Sequence, residues 1–136
     1  MTDFTLDPRL EADSAFVTDL AICQVRLMTD ARFAWCLAVP RRDGLVELED
    51  LSAEDRAAVM EEAMRLAGAI RAVAPVDKMN VAALGNQVKQ LHIHVIGRTE
   101  GDPAWPGPVW GVGQAEGYTK TELQDRIAGL RGALGA

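Results

Sequence analysis

Apolar and polar positions alternate strictly over residues 33–39. Phe33, Trp35, Leu37 and Val39 fall on one face, Ala34, Cys36 and Ala38 on the other. That two-residue period predicts a strand, and its small-residue face leaves room for another element to pack closely. Residues 20–28, with Ile22, Val25 and Leu27, predict the strand before it. Thr29-Asp30-Ala31-Arg32 is a short enough connection to make the pair a hairpin. Pro40-Arg41-Arg42-Asp43-Gly44 ends the second strand. The period then becomes helical: Val59, Ala63, Leu66, Ile70 and Val73 form one apolar stripe. Ser52 is a good N-cap, Asp55 three residues on makes a near capping box, and Glu54 and Asp55 suit the positive end of the helix dipole. Pro75 stops the helix. This helix is expected to pack on the small-residue face of the hairpin.

Residues 78–84 predict a third strand, Gly85-Asn86-Gln87 a loop, and residues 90–98 a further strand with Leu91, Ile93 and Val95 inward. Residues 101–117 hold Gly, Pro and Trp without periodicity and read as a loop. Leu123, Ile127, Leu130 and Leu134 share a stripe, which predicts a C-terminal helix over 118–135. Residues 1–15 read as an irregular lead-in, with turn or cap signals at Asp7-Pro8 and Asp13-Ser14. A hairpin, a long helix and two more strands make an α+β plan: an antiparallel sheet of about five strands, with the long helix and a C-terminal helix on one face.

Composition narrows the class. The chain has 136 residues, a length that makes one domain and buries about 68–70% of its unfolded surface. Fourteen basic against twenty acidic residues give a net charge of −6. That argues against non-specific binding to a nucleic-acid polymer, which needs a basic face, but not against a pocket for a single nucleotide. Two cysteines, Cys23 and Cys36, are too few for a disulfide scaffold and read as buried small hydrophobes. No apolar run approaches the ~20 residues of a membrane span. The start, Met1-Thr2-Asp3-Phe4, has no hydrophobic signal core, so a cytoplasmic protein that does not engage membranes is expected.

The chain's two histidines are His92 and His94. In a strand they share a face with Gln90 and Ile96, opposite Leu91, Ile93 and Val95. Three readings compete. The pair can sit on a half-exposed polar face. It can share a metal ion, although the sequence offers no third His and no acidic residue marked by spacing. It can carry phosphate chemistry at a histidine.

Gln90-Leu91-His92-Ile93-His94-Val95-Ile96 resembles the motif of the histidine-triad (HIT) superfamily, His-φ-His-φ-His-φ-φ with φ apolar, with Gln in place of the first His. Gly85-Asn86-Gln87-Val88-Lys89 is similar to the loop that precedes it, Trp105-Pro106 to a Trp-Pro pair of some members, and Val39-Pro40-Arg41 to a strand that ends in Pro and a basic residue. The likeness covers roughly residues 20–110, including the order of elements, and looks closest to proteobacterial members with the same Gln-Leu-His start.

The resemblance implies a small sheet that forms a homodimer and binds nucleotide on its histidine face. It implies a hydrolase or nucleotidyl transferase acting at the α-phosphate of a nucleoside phosphoramidate, dinucleoside polyphosphate or related adenylated compound, with neither cofactor nor metal. His92 matches the nucleophile, which would form a covalent nucleotidyl-histidine while its other ring nitrogen donates to a backbone carbonyl. His94 would contact phosphate oxygens or assist the leaving group. Gln90 keeps hydrogen-bonding capacity but cannot titrate. Asn86 and Gln87 match loop positions that reach phosphate, or are plain turn residues. Asp30 would reach the ribose hydroxyls, or serve its turn. Asn80 would lie near the phosphate, or at a strand edge. Trp105 would reach across the dimer, or pack under its own loop. Where many relatives carry a further His before the long helix, this chain has Trp35 or the Arg41-Arg42-Asp43 segment. Two alternatives stay open: a nucleotide-binding HIT-like protein with little turnover, and a metal-binding module using the His-x-His pair.

Overall fold

The computed structural model describes residues 4–136. Five strands form one antiparallel sheet in the order β1-β2-β3-β5-β4. These are β1 (Ser14–Asp19), β2 (Cys23–Met28), β3 (Ala34–Pro40), β4 (Lys78–Ala82) and β5 (Ile93–Arg98). The helices are α1 (Pro8–Asp13), α2 (Ala53–Val73) and α3 (Lys120–Ala133). This is the expected α+β plan, with the expected hairpin at β2–β3 and the long helix between β3 and β4.

The small face of β3 receives α2. Cys36 and Ala38 join Val25, Leu27, Ile93 and Val95 in one core with Val59, Ala63, Leu66 and Ile70 of α2, Leu130 of α3 and Leu134 at its C-cap. Contact against β5 is so close that a Cβ on Gly97 would lie 2.7 Å from Val76 Cγ2 and 2.9 Å from Ile70 Cγ2. Ser52 caps α2 by accepting from the Asp55 N–H, and a Thr119–Glu122 capping box starts α3. The opposite sheet face is covered too. Phe33, Trp35 and Ile96 pack with Val109 of the 101–117 loop, and Leu37 and Val39 pack with Leu10 of α1. Both thiols are buried and unpaired. Burial pushes both up, Cys36 to about 12, so neither is a nucleophile.

Three expectations are corrected. The lead-in over 1–15 is not irregular: Pro8–Asp13 is helical and Ser14 opens β1, while residues 1–3 lie outside the described residues. Strand β1 lacks a clean period because its pairing with β2 shifts between Phe16 and Thr18, a bulge that breaks the alternation. The strand expected over 20–28 begins at Cys23, since Leu20 to Ile22 turn the β1–β2 corner. The strand expected over 90–98 enters the ladder only at Ile93, because the Leu91 N–H donates to the Leu45 carbonyl rather than to β3.

A buried carboxylate in α2 holds the β1–β2 corner. Glu62, 6% exposed, accepts from the N–H of Cys23 at 2.7 Å and of Ile22 at 3.0 Å. Removing it strands two buried donors. Glu62→Ala is expected to lower unfolding free energy by about 2–4 kcal/mol and Glu62→Gln by less, read from urea denaturation. A loss under about 1 kcal/mol for the alanine variant would mean other contacts hold the corner.

Candidate functional site

The register of β3 against β5 builds the site. Leu37 pairs with His94 and Trp35 with Ile96, so Trp35 is the diagonal neighbour of His94 on the face away from α2. The Trp35 Nε1–H donates to His94 Nδ1 at 3.0 Å. An indole nitrogen only donates, so His94 Nδ1 holds a lone pair and the proton sits on Nε2. That nitrogen donates to the Leu84 carbonyl at 3.0 Å. Burial lowers the His94 pKa to about 4, aided by nearby His92 and opposed by the Leu84 bond, so the ring is neutral at neutral pH.

His92 is arranged differently. Its Nδ1 lies 2.7 Å from the Gln90 carbonyl oxygen. A carbonyl only accepts, so Nδ1 carries the proton and Nε2 the lone pair. Nε2 has no hydrogen-bond partner among the described residues and is not sealed from solvent. The two imidazoles stand edge to face, centroids 4.9 Å apart. The loop between β4 and β5 closes on His92 at a glycine. A Cβ on Gly85 would lie 2.7 Å from the Val88 carbonyl oxygen and 3.5 Å from His92 Cε1.

His92 and His94 open into a cleft of about 580 Å³. Leu10, Met28, Leu37 and Val88 supply apolar wall, Asn86 and Gln87 amides, and Trp35 and Trp110 aromatic wall. Trp110 sits edge-on to His94 at 5.0 Å and to Trp35 at 6.2 Å. Its Nε1–H is buried without a partner among the described residues. Asp30 also lines the cleft, but its carboxylate is engaged. It accepts from Arg32 Nη2 at 2.8 Å, Arg32 Nε at 3.0 Å and the Glu116 N–H at 3.3 Å. Burial alone would raise its pKa; the Arg32 bonds outweigh that and hold it below the usual carboxylate range. Arg32 in turn donates to the Val112 carbonyl, which ties the 109–116 segment over the cleft.

Five of the eight residues singled out from sequence therefore meet in one cleft: His92, His94, Asn86, Gln87 and Asp30. Three do not. The Gln90 side chain accepts from the Asp7 N–H at 2.8 Å and donates to the Thr5 carbonyl at 2.9 Å, so it fastens the N-terminal segment. Its backbone carbonyl is what serves His92. Gln90 lines a smaller hollow of about 310 Å³ with Lys89 and Glu47, which shares only Asn86 and His92 with the cleft. Asn80 accepts from Arg98 Nη1 at 3.0 Å, and Arg98 lies over the Trp105 ring at 5.8 Å. Both belong to the Arg98–Asp102 ion pair beyond the cleft. Trp110 and Arg32 were not marked by sequence. Trp35 was, through the large face of its strand, although alternation alone gave no sign of the bond to His94. Among the described residues no group of three or more His, Cys, Asp or Glu is placed to hold a metal ion. A metal shared by the His pair would have to displace Trp35 or Leu84 from His94.

The HIT domain profile matches residues 9–101. Three solved structures are similar over nearly the whole chain. The histidine triad protein blr8122 from Bradyrhizobium japonicum is 43% identical, with a TM-score of 0.93, covering 96% of this chain and 98% of that one. The histidine triad (HIT) protein SMc02904 from Sinorhizobium meliloti is 43% identical, with a TM-score of 0.93, covering 96% and 97%. A histidine triad protein from Marinobacter aquaeolei is 41% identical, with a TM-score of 0.93, covering 97% and 96%. No curated protein matches the chain significantly. A family match spanning most of the chain, together with these relatives and the same antiparallel sheet, establishes that the chain belongs to the HIT domain family.

Proposed function

We propose that the protein is a nucleotide hydrolase or nucleotidyl transferase. It acts at the α-phosphate of a nucleoside phosphoramidate, dinucleoside polyphosphate or related adenylated compound through a covalent nucleotidyl-His92. One observation carries this reading: Nδ1 of His92 is tied to the Gln90 carbonyl at 2.7 Å, which leaves the Nε2 lone pair free at the cleft.

In the first step the Nε2 lone pair forms a bond to phosphorus and the bond to the leaving group breaks. The positive charge that develops on the ring is stabilised by the Nδ1–H···O=C bond. Water or another acceptor then attacks phosphorus, the N–P bond breaks, and the lone pair returns to Nε2 while the acceptor's proton passes to solvent. The side-chain amides of Asn86 and Gln87, and the backbone N–H groups of Asn86, Gln87 and Val88, donate to no protein acceptor among the described residues and suit phosphate oxygens. Leu10, Met28, Leu37 and Val88 suit a base. Asp30 is assigned to holding Arg32 and the 109–116 segment rather than the ribose, because its oxygens are already engaged.

A second reading, nucleotide binding with little turnover, is favoured by Gln90, which cannot titrate and whose side chain is tied to Thr5 and Asp7. The two part on a single test. Wild-type protein incubated with adenylated substrates should release AMP and yield an adenylyl group trapped on His92 after acid-free quenching. His92→Ala should lose on the order of a thousandfold or more in kcat with nucleotide affinity changed only a few-fold. Binding without AMP or trapped adduct supports the second reading; undiminished turnover by His92→Ala rejects the first. The reading also takes the protein as a homodimer. Sedimentation should give twice the 14.7 kDa chain mass, and a monomer at micromolar concentration would remove that element.

A further inference from the structure

We propose that Trp35 decides which leaving groups the site expels. By donating to His94 Nδ1 it fixes that ring as a neutral brace for Leu84, so only compounds whose leaving group departs as a stabilised oxyanion, the phosphate or carboxylate half of an anhydride, turn over efficiently. This rests on His92 being the nucleophile.

A neutral imidazole has one proton and one lone pair, and in His94 both are engaged. The lone pair accepts from Trp35 at 3.0 Å and the proton goes to the Leu84 carbonyl at 3.0 Å. To protonate a leaving group, His94 must abandon Leu84 or take a second proton at Nδ1 and repel the indole N–H. Neither is easy. His94 is 5% exposed and Trp35 7%. The indole is itself wedged, with Phe33 edge-on at 6.3 Å, Trp110 edge-on at 6.2 Å, and Ile96 and Val109 packed around it. Burial also disfavours the doubly protonated ring, which keeps His94 neutral at neutral pH.

The other titratable groups lining the cleft among the described residues are Asp13, Asp30, Arg32 and His92. Asp30 is held ionised by Arg32, and a guanidinium does not give up its proton. Asp13 is exposed to solvent. His92 gives its one proton to the Gln90 carbonyl and uses its lone pair as the nucleophile. The amides of Asn86 and Gln87 donate hydrogen bonds but transfer no proton.

The consequence is chemical. When Nε2 bonds to phosphorus, the electron pair of the breaking bond must rest on the departing atom. Phosphate and carboxylate oxygens hold it unaided. An amine nitrogen does not, and needs a proton in the transition state. General acid assistance contributes about 10²–10⁴-fold where it exists, and this cleft places no side chain to give it.

The test is a leaving-group series on the wild-type protein: adenosine 5′-phosphate aryl esters of graded phenol acidity, an adenylyl–phosphate anhydride, and adenosine 5′-phosphoramidate, with AMP release and the His92 adduct both read. Steep dependence of kcat/KM on leaving-group acidity, with the phosphoramidate at least about a hundredfold slower than the anhydride, is expected. In Trp35→Phe, where a smaller ring without an N–H frees Nδ1 and opens space for water beside His94, the series should flatten, with the phosphoramidate-to-anhydride ratio rising at least about tenfold. A flat series in the wild type, or a phosphoramidate as fast as the anhydride, overturns the proposal while His92 still forms its adduct. A folded Trp35→Phe with an unchanged ratio also overturns it. If that variant does not fold, the wild-type series decides. No AMP and no adduct from any member defeats the nucleophile assignment itself, and this proposal with it.

Discussion

A carbonyl two residues upstream fixes which nitrogen of His92 carries the proton and which keeps its lone pair. An imidazole offers two, and only the one without a proton is a nucleophile. The Gln90 oxygen takes the Nδ1 proton at 2.7 Å and leaves Nε2 bare. That oxygen is available because β5 has not yet begun. Leu91 turns its N–H to the Leu45 carbonyl, and pairing with β3 starts at Ile93. Had the ladder extended to residue 90, the Gln90 carbonyl would face the competing demand of a neighbouring strand. The late start of one strand is therefore part of the site. The side chain of Gln90 supports the same arrangement from outside by holding Thr5 and Asp7.

The second constraint is that both faces of the sheet are buried. On the helix side the packing is mostly apolar, with the Glu62 carboxylate satisfied by the Ile22 and Cys23 N–H groups. On the other side, polar groups sit among aromatics and must satisfy one another, since an unpaired buried polar atom is costly. Arg98 does so with Asp102 and Asn80, Arg32 with Asp30 and Val112, and His94 with Trp35 and Leu84. The same pressure that fixes the tautomer of His94 thus engages both of its ring nitrogens. Trp110, with its Nε1–H unpaired beside the cleft among the described residues, leaves a donor for whatever enters.

Periodicity made the architecture legible. The alternation of residues 33–39 put Trp35 and Leu37 on the site face and Cys36 and Ala38 under α2, and the α2 stripe matched its buried residues. The bulged β1 and the short α1 were hidden because six-residue elements with a register shift carry no clean period. Motif position marked His92, His94 and the Asn86-Gln87 loop, which line one cleft. It could not show that Gln90 serves through its backbone, because a carbonyl is common to every residue. Asn80 and Trp105 face the correct side of the sheet but are drawn off by Arg98, a partner that only the fold reveals. Trp110 sits in an aperiodic loop that gave no signal at all.

The orientation of the His92 lone pair is the claim on which the chemistry stands, and long-range ¹H–¹⁵N correlation of the imidazole nitrogens reads it directly. In the neutral ring the account predicts His92 protonated at Nδ1, with an unprotonated Nε2 that shifts when nucleotide is added, and His94 as the opposite tautomer. A His92 ring protonated at Nε2 would contradict it, since no lone pair would then face the cleft.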